Sequence, residues 1–475
     1  RLFTFESVLY ACNMRWTVHL DGGPRRVNHA AVTVGYRVFS FGGYCTGENY
    51  RDMLPCDVFV LNTHNMRWSA IPKPDEKTYN PGTCDWPYQR YGHSVVAWNQ
   101  YVVLFGGRSD SRVCNLIYVF NTINFTWKKY NNTYIDIADL QDETVDLVSG
   151  QIPPPRDGHS ACVIGDNMFI YGGYVESQHR FCSDVYNLNL KTMKWRIMEA
   201  RGESPRYRDF HTSTAIGDKI FVFGGRCSPI DMHVPEREFY CNKVVCFDLK
   251  TGKWTRLAAL PDQSDPDSDG MPEGRRSHSA LNLKGSLVIF GGFNSRTDKH
   301  KNDLWEFKVD SNTWVRLNPS GKGPSPRRRQ AFCLVGSRIF VFGGTSPYDG
   351  PPIKFTPRQL EFMPRELDPD AGDVDGRRLK LLDHSEMFVL DLSPSLKTLC
   401  IEALTRPSRE KCSTYETQVP STSSEGSGPA DEDKSAVDWK ALAEVLPRSL
   451  MEELTNATLR NNLSDPLPII DNKQG

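Results

Sequence analysis

The chain has 475 residues, 39% of them hydrophobic and 36 of them glycine, a composition that supports a sizeable core and excludes wholesale disorder. Basic side chains number 57 against 58 acidic ones, a net charge of −1 that leaves no electrostatic footprint for nucleic acid or an anionic membrane surface. There is no run of 18 apolar residues to span a bilayer, and 13 cysteines without a C-x-x-C pair point to reduced thiols, hence to cytoplasm or nucleus, and not to a disulfide framework.

Residues 1–13 are mildly apolar but interrupted by Glu6, and are expected to be a non-core extension. Met14-Arg15-Trp16-Thr17-Val18 then has the look of a strand. From Arg26 onward one pattern recurs six times. An aromatic precedes a diglycine at Phe41-Gly42-Gly43, Phe105-Gly106-Gly107, Tyr171-Gly172-Gly173, Phe223-Gly224-Gly225, Phe290-Gly291-Gly292 and Phe342-Gly343-Gly344. Thirteen residues before each first glycine stands His29, His93, His159, His211, His278 or Gln330, and three residues earlier Arg26, Arg90, Arg156, Arg208, Arg275 or Arg327. Between these marks an apolar run, a polar turn and a second run predict a β-hairpin, as in Ser160–Ile164 and Met168–Tyr171. A third run follows each diglycine, and Trp68, Trp127, Trp195, Trp254 or Trp314 opens a fourth. The sixth unit lacks that tryptophan after Asp391; Trp16 supplies one, so the N-terminal strand is expected to complete the last unit and remove its exposed edge.

Four antiparallel strands per unit, six times over, predict an all-β, six-bladed propeller over residues 14–392, closed by the N-terminal strand. The diglycine and spaced tryptophan resemble the kelch repeat. The glycines allow close backbone approach where the second strand ends, and the aromatics are expected to pack between neighbouring blades. Long connections at 71–89, 131–151, 227–241, 261–274 and 346–382 are candidates for the binding face. The repeated histidines are expected to bond locally at strand starts and not to hold a metal. HExxH, GKS/T and G-x-S-x-G motifs are all missing, so neither an enzyme nor a cofactor is indicated.

Beyond the repeats, Ser395, Leu396, Cys400 and Leu404 fit S/T-L-x-x-x-C-x-x-x-Φ, with the last three on one helical stripe. Residues 405–437 have the composition of a disordered linker, 438–455 of a helix, and 456–475 of a flexible tail ending in Gly475. Leu446-Pro447 with Leu450 and Leu454 forms a second box. These boxes, after repeats that open Gly22-Gly23-Pro24-Arg25-Arg26-Val27-Asn28-His29, resemble the kelch substrate receptors of cullin-2–elongin B/C ubiquitin ligases. The resemblance implies docking of elongin C, with elongin B, on the first box (residues 393–404) and cullin-2 on the second. Here 41 residues separate the boxes.

Relatives in that family recognise protein C-termini ending in glycine, through arginines near a diglycine and a serine ahead of the next histidine. Carried over, this implies a carboxylate grip by Arg226, with Arg237, Arg276, Ser277 and Arg329 as further members; Arg108 and Arg208 occupy comparable positions. A guanidinium fork suits a terminal carboxylate. The chain's own Gly475 would then be a self-ligand or a means of self-association. A non-ligase kelch scaffold, chromatin-associated in meiosis, is the alternative.

Overall fold

The computed structural model describes residues 14–46, 48, 50–132, 147–227, 239–262, 270–348, 381–395 and 398. It is built almost wholly of β-strands. Each of the six repeats is built on four antiparallel strands, the sixth counting the N-terminal strand; Leu147–Gly150 joins the second and third sheets by parallel pairing, and Arg201–Gly202 adds a parallel strand to the fourth. The first comprises Ala30–Val34, Arg37–Phe41, Val58–Asn62 and Arg67–Ala70. Ser94, Ser160, Thr212, Ser279 and Ala331 begin the first strands of the others. First strands touch those of the units on either side, and the cycle closes between Ala331–Val335 and Ala30–Val34. As expected, Arg15–Leu20 supplies the outer strand of the sixth sheet, pairing antiparallel with Met387–Asp391.

Three interactions repeat from unit to unit. First, each unit's tryptophan packs on the aromatic that precedes the previous unit's diglycine. Centroids lie 5.6 Å apart for Trp127 and Phe41, 5.3 Å for Trp195 and Phe105, and 5.2 Å for Trp254 and Tyr171. Trp314 sits 5.3 Å from Phe223, Trp16 6.2 Å from Phe290 and Trp68 4.8 Å from Phe342, so the N-terminal strand and the first unit complete the round. Such aromatic pairs contribute beyond the area they bury.

Second, the repeat arginine is a buried clamp. Arg90, Arg156, Arg208, Arg275 and Arg327 are 0–1% exposed. In all five, Nε donates to the carbonyl two residues back and Nη1 to the first glycine's carbonyl 16 residues on. Arg208 is therefore committed to the fold and has no place in the binding group. Arg26 departs, pairing instead with Glu48 and Asp57.

Third, the diglycine joins neighbouring units. The second glycine's N–H donates to the next unit's repeat-arginine carbonyl at all six interfaces, over 2.8–2.9 Å; the last bond runs from Gly344 to Arg26. Gly343 has φ +64°, and a Cβ there would lie 2.6 Å from the Arg26 carbonyl and 2.7 Å from the His29 ring. Only glycine fits.

Three of the five repeat histidines bond across units and not within the strand they begin, which corrects the sequence-based expectation of local bonding for them. His159 Nε2 meets Ser94 Oγ of the preceding unit at 2.8 Å, His211 meets Ser160 at 2.6 Å and His278 meets Thr212 at 2.9 Å. Burial first, then the nearby repeat arginine, pushes His159 and His278 down to about 3, which keeps both rings neutral. At the two remaining histidine interfaces the hydroxyl position holds Ala30 or Ala331, and Nε2 of His93 and of His29 has no hydrogen-bond partner among the described residues. Ala30→Ser and Ala331→Ser should each supply that partner and stabilise the protein by about 1 kcal/mol. Urea unfolding checks this: both midpoints should rise, and unchanged or lower midpoints would contradict the pairing.

Candidate functional site

The residue just before each repeat histidine, at Asn28, Gly92, Gly158, Phe210, Ser277 and Arg329, has positive φ, between 49° and 66°. Its N–H donates to the carbonyl of the equivalent residue one unit earlier, from Gly92 to Asn28, Gly158 to Gly92, Phe210 to Gly158, Ser277 to Phe210, Arg329 to Ser277 and Asn28 to Arg329. These six bonds, 2.7–3.3 Å long, form a closed collar. Because the collar uses its own N–H and C=O groups, its recognition chemistry falls to side chains. Left-handed backbone is easy for glycine and asparagine but strained for Phe210, Ser277 and Arg329. Strained residues held by a closed hydrogen-bonded ring mark a candidate site.

One residue before the collar, the backbone bridges to the residue after the diglycine. The pairs include Tyr91 with Arg108, Asp157 with Tyr174, Asp209 with Arg226, Arg276 with Phe293 and Arg328 with Thr345. The sequence at these positions makes the two sides of the collar electrostatically unlike.

On units two to four, cations meet carboxylates. Arg226 forks onto Asp209, with Nε–Oδ1 3.1 Å and Nη2–Oδ2 2.6 Å; the Asp209 side chain is 1% exposed. Arg226 also lies 5.3 Å from the Phe181 ring centroid. Arg108 sits 3.9 Å from Asp157 and 3.6 Å from Glu176. Burial pushes the Asp157 carboxyl up to about 6, against the pull of Arg108 and with a further push from Asp209. Arg226, foremost in the sequence-based expectation, therefore has its fork engaged by a neighbour.

On units five and six, arginines gather around one ring. The fifth unit's second and third strands extend through the diglycine as Ser286–Asn294 and Lys299–Lys308, pairing Phe293 with His300. Arg328 lies 4.4 Å and Arg276 5.7 Å from the Phe293 ring centroid, and the His300 and Phe293 rings are 4.5 Å apart. Arg329 lies 5.8 Å from both the Tyr44 and Phe210 rings and donates to the Tyr44 hydroxyl. Burial, then the like charges of Arg329 and Arg276, pushes Arg328 down to about 10, with the Tyr44 and Tyr240 phenols acting in the opposite direction. Ser277 Oγ, Arg328 Nε, Arg329 Nε and both His300 ring nitrogens are buried and have no hydrogen-bond partner among the described residues. Arg108 Nε and Asp157 Oδ1 across the collar are in the same state, so it is the gathering of like charges together with these atoms that marks this side. An oxyanion placed among them would accept charge-assisted bonds and relieve the repulsion between the arginines.

The structure thus brings Arg276, Ser277 and Arg329 to one side of the collar and holds Arg226 in an ion pair with Asp209. Arg237 lies outside the described residues. Arg328 and His300 were missed by sequence reasoning. The run Arg327-Arg328-Arg329 was a visible signal, and His300 is a histidine outside the repeat position. Of the docking boxes, Ser395 is described: its hydroxyl accepts the Thr398 N–H at 3.1 Å, the bond of a helix N-cap. Leu396, Cys400, Leu404, Leu446, Pro447, Leu450, Leu454 and Gly475 lie outside the described residues.

Two other clusters have the outline of chemistry. Ser346 Oγ is 2.8 Å from His384 Nε2, and His384 Nδ1 is 3.3 Å from Glu386 Oε1, the order of a nucleophile–base–acid relay. Yet Ser346 is 5% exposed, which leaves its hydroxyl little face for a substrate, and Glu386 is already held by Arg327 and by His19 at 2.8 Å. His19, Asp21 and Glu386 could converge on a cation, but the same pairing with Arg327 satisfies the carboxylate without one. Both clusters tie the sixth unit together.

The chain matches the KLHDC2/KLHL20/DRC7 Kelch-repeats domain over residues 28–136 and 130–344. It is 42% identical over 390 residues to kelch domain-containing protein 3 of Bos taurus, covering 82% of this chain and 89% of the relative. The Homo sapiens protein of that name is 42% identical over 388 residues, with the same coverage. Host cell factor of Drosophila melanogaster is 28% identical over 311 residues, covering 63% of this chain and 19% of that protein.

The two sides of the collar should respond oppositely to mutation. Arg226→Ala leaves Asp209 without its fork and should cost about 2–4 kcal/mol of stability, below the value for a fully buried pair because the Arg226 side chain is 30% exposed. Arg328→Gln removes one of several facing like charges and should leave stability unchanged or higher. Chemical unfolding compares them; a loss in Arg328→Gln as large as in Arg226→Ala would contradict the assignment.

Proposed function

The chain belongs to the kelch-repeat family, and we propose that it is a substrate receptor, a six-bladed propeller whose collar captures protein C-termini ending in glycine for a cullin-2–elongin B/C ubiquitin ligase. The observation that carries the reading is the gathering of Arg276, Arg328 and Arg329 on one side of the collar, where Ser277 Oγ, Arg328 Nε, Arg329 Nε and the His300 ring nitrogens have no hydrogen-bond partner among the described residues. They supply the positive charge and hydrogen bonds that a terminal carboxylate needs where water is largely excluded. Phe293, Phe210 and Tyr44 give this group apolar walls. In this reading Arg226 shapes the neighbouring wall through Asp209 and leaves the carboxylate to Arg276, Arg328 and Arg329.

Ubiquitin transfer is performed by the partners; this chain supplies recognition and proximity. Elongin C, together with elongin B, docks on Ser395, Leu396, Cys400 and Leu404, and cullin-2 is selected by Leu446, Pro447, Leu450 and Leu454. The capping bond from Thr398 to Ser395 favours a helix at the first box.

Fluorescence anisotropy with peptides ending in a free glycine tests the reading. Arg328→Ala combined with Arg329→Ala should weaken binding at least about 30-fold, the scale expected when a buried charge pair loses one partner. Amidating the peptide terminus should weaken binding comparably, while co-purification of elongins B and C survives the arginine changes. Equal affinity for free and amidated peptides would overturn carboxylate capture. Failure to retain elongins in the unaltered chain would overturn the ligase role and leave a scaffold. Replacing both Leu396 and Cys400 by polar residues should release elongin C without affecting peptide binding.

A further inference from the structure

His300 is the group of the proposed site whose own charge can change near neutral pH. It is 9% exposed and stands opposite Phe293 on the extended hairpin of the fifth unit. Neither ring nitrogen has a hydrogen-bond partner among the described residues. Elsewhere in the repeats a buried imidazole is commonly given a hydroxyl, as His159, His211 and His278 show. Instead, His300 shares the Phe293 ring with Arg328 and Arg276.

We propose that His300 is a proton-linked member of the ligand site: it is neutral while the arginine cluster is empty and takes up a proton when a carboxylate occupies that cluster. The inference rests on the carboxylate reading given above. In the empty site, burial and then the charges of Arg328, Arg329 and Arg276 push the imidazole down to about 4. An anion between these guanidinium groups cancels part of their field and adds an acceptor for an imidazolium N–H, so both changes favour the charged ring.

The sign follows from linkage. A ligand that raises the imidazole's pKa binds more tightly as pH falls through the raised value, and the gain saturates once pH falls below the value in the empty site. A receptor built this way grips its substrates harder in mildly acidic solution.

A second titrating group on the collar must be separated from His300. Asp157 faces Arg108, Glu176, Asp209 and Arg226 on the opposite side, and burial holds its carboxyl near 6. Its protonation also makes the collar more positive as pH falls. Asp157→Asn removes that contribution and leaves the His300 contribution in place.

Isothermal titration of the full chain with a glycine-ended peptide, in two buffers of different ionisation enthalpy, reads the proton directly. Between pH 7.5 and pH 5.5 affinity should rise about five- to tenfold, with uptake approaching one proton per peptide. Uptake should persist in Asp157→Asn and disappear in His300→Asn. The measurement on the unaltered chain stands even if His300→Asn does not fold. Tight binding of the free-carboxylate peptide without proton uptake, or with uptake unchanged in His300→Asn, overturns the coupling and leaves carboxylate capture intact. Equal binding of free and amidated peptides, or no binding of either at any pH, overturns both.

Discussion

The space beside the diglycine controls the architecture. At each interface the next unit's repeat-arginine carbonyl lies 2.5–2.9 Å from where a Cβ on the first glycine would be, and the next histidine or glutamine ring or amide packs against the same point. Because no side chain intervenes, that carbonyl can accept the second glycine's N–H. This backbone contact sets the spacing between units, and the spacing brings each tryptophan onto the preceding unit's aromatic. The buried guanidinium then ties its own unit's diglycine to the segment that meets the preceding unit. Six copies of so short-range a constraint leave the chain ends no choice but to meet, which is why Arg15–Leu20 is needed as the outer strand of the sixth sheet.

The same spacing places the collar. Successive positions before the histidine come within hydrogen-bond reach, adopt left-handed backbone and use up one another's N–H and C=O groups. A repeat with glycine at this position, as at Gly92 and Gly158, is unstrained but chemically blank. Units four to six carry Phe210, Ser277 and Arg329 there, despite the conformational cost. Repeat proteins share the burden of stability among units, so single units can be altered for function while the others hold the geometry. Mutual repulsion among Arg276, Arg328 and Arg329, and a Ser277 hydroxyl without a hydrogen-bond partner among the described residues, are costs of that kind, balanced elsewhere by the clamps and aromatic pairs.

The architecture was legible in the sequence because each element of the interface leaves a fixed spacing: arginine, histidine and diglycine at constant intervals, and a tryptophan whose absence after Asp391 pointed to Trp16. The assignment of tryptophans to the inter-unit boundary came from the same marks. The site was legible in part. Arg276, Ser277 and Arg329 sit next to repeat marks, and the family resemblance pointed to them there. That Arg226 is engaged by Asp209 depends on a bridge between segments 17 residues apart, and no local pattern announces it. Arg328 was hidden beside the repeat arginine Arg327. His300 enters the site because the fifth unit's hairpin continues beyond its diglycine, a register visible only once the strands are paired.

The most direct measurement is a structure of the chain bound to a peptide ending in glycine. The terminal carboxylate should lie within hydrogen-bond distance of Ser277 Oγ and of the Arg328 and Arg329 guanidinium groups, with the Arg226–Asp209 fork intact. A carboxylate held by Arg226 after displacement of Asp209, or a peptide bound away from the collar, would contradict the assignment.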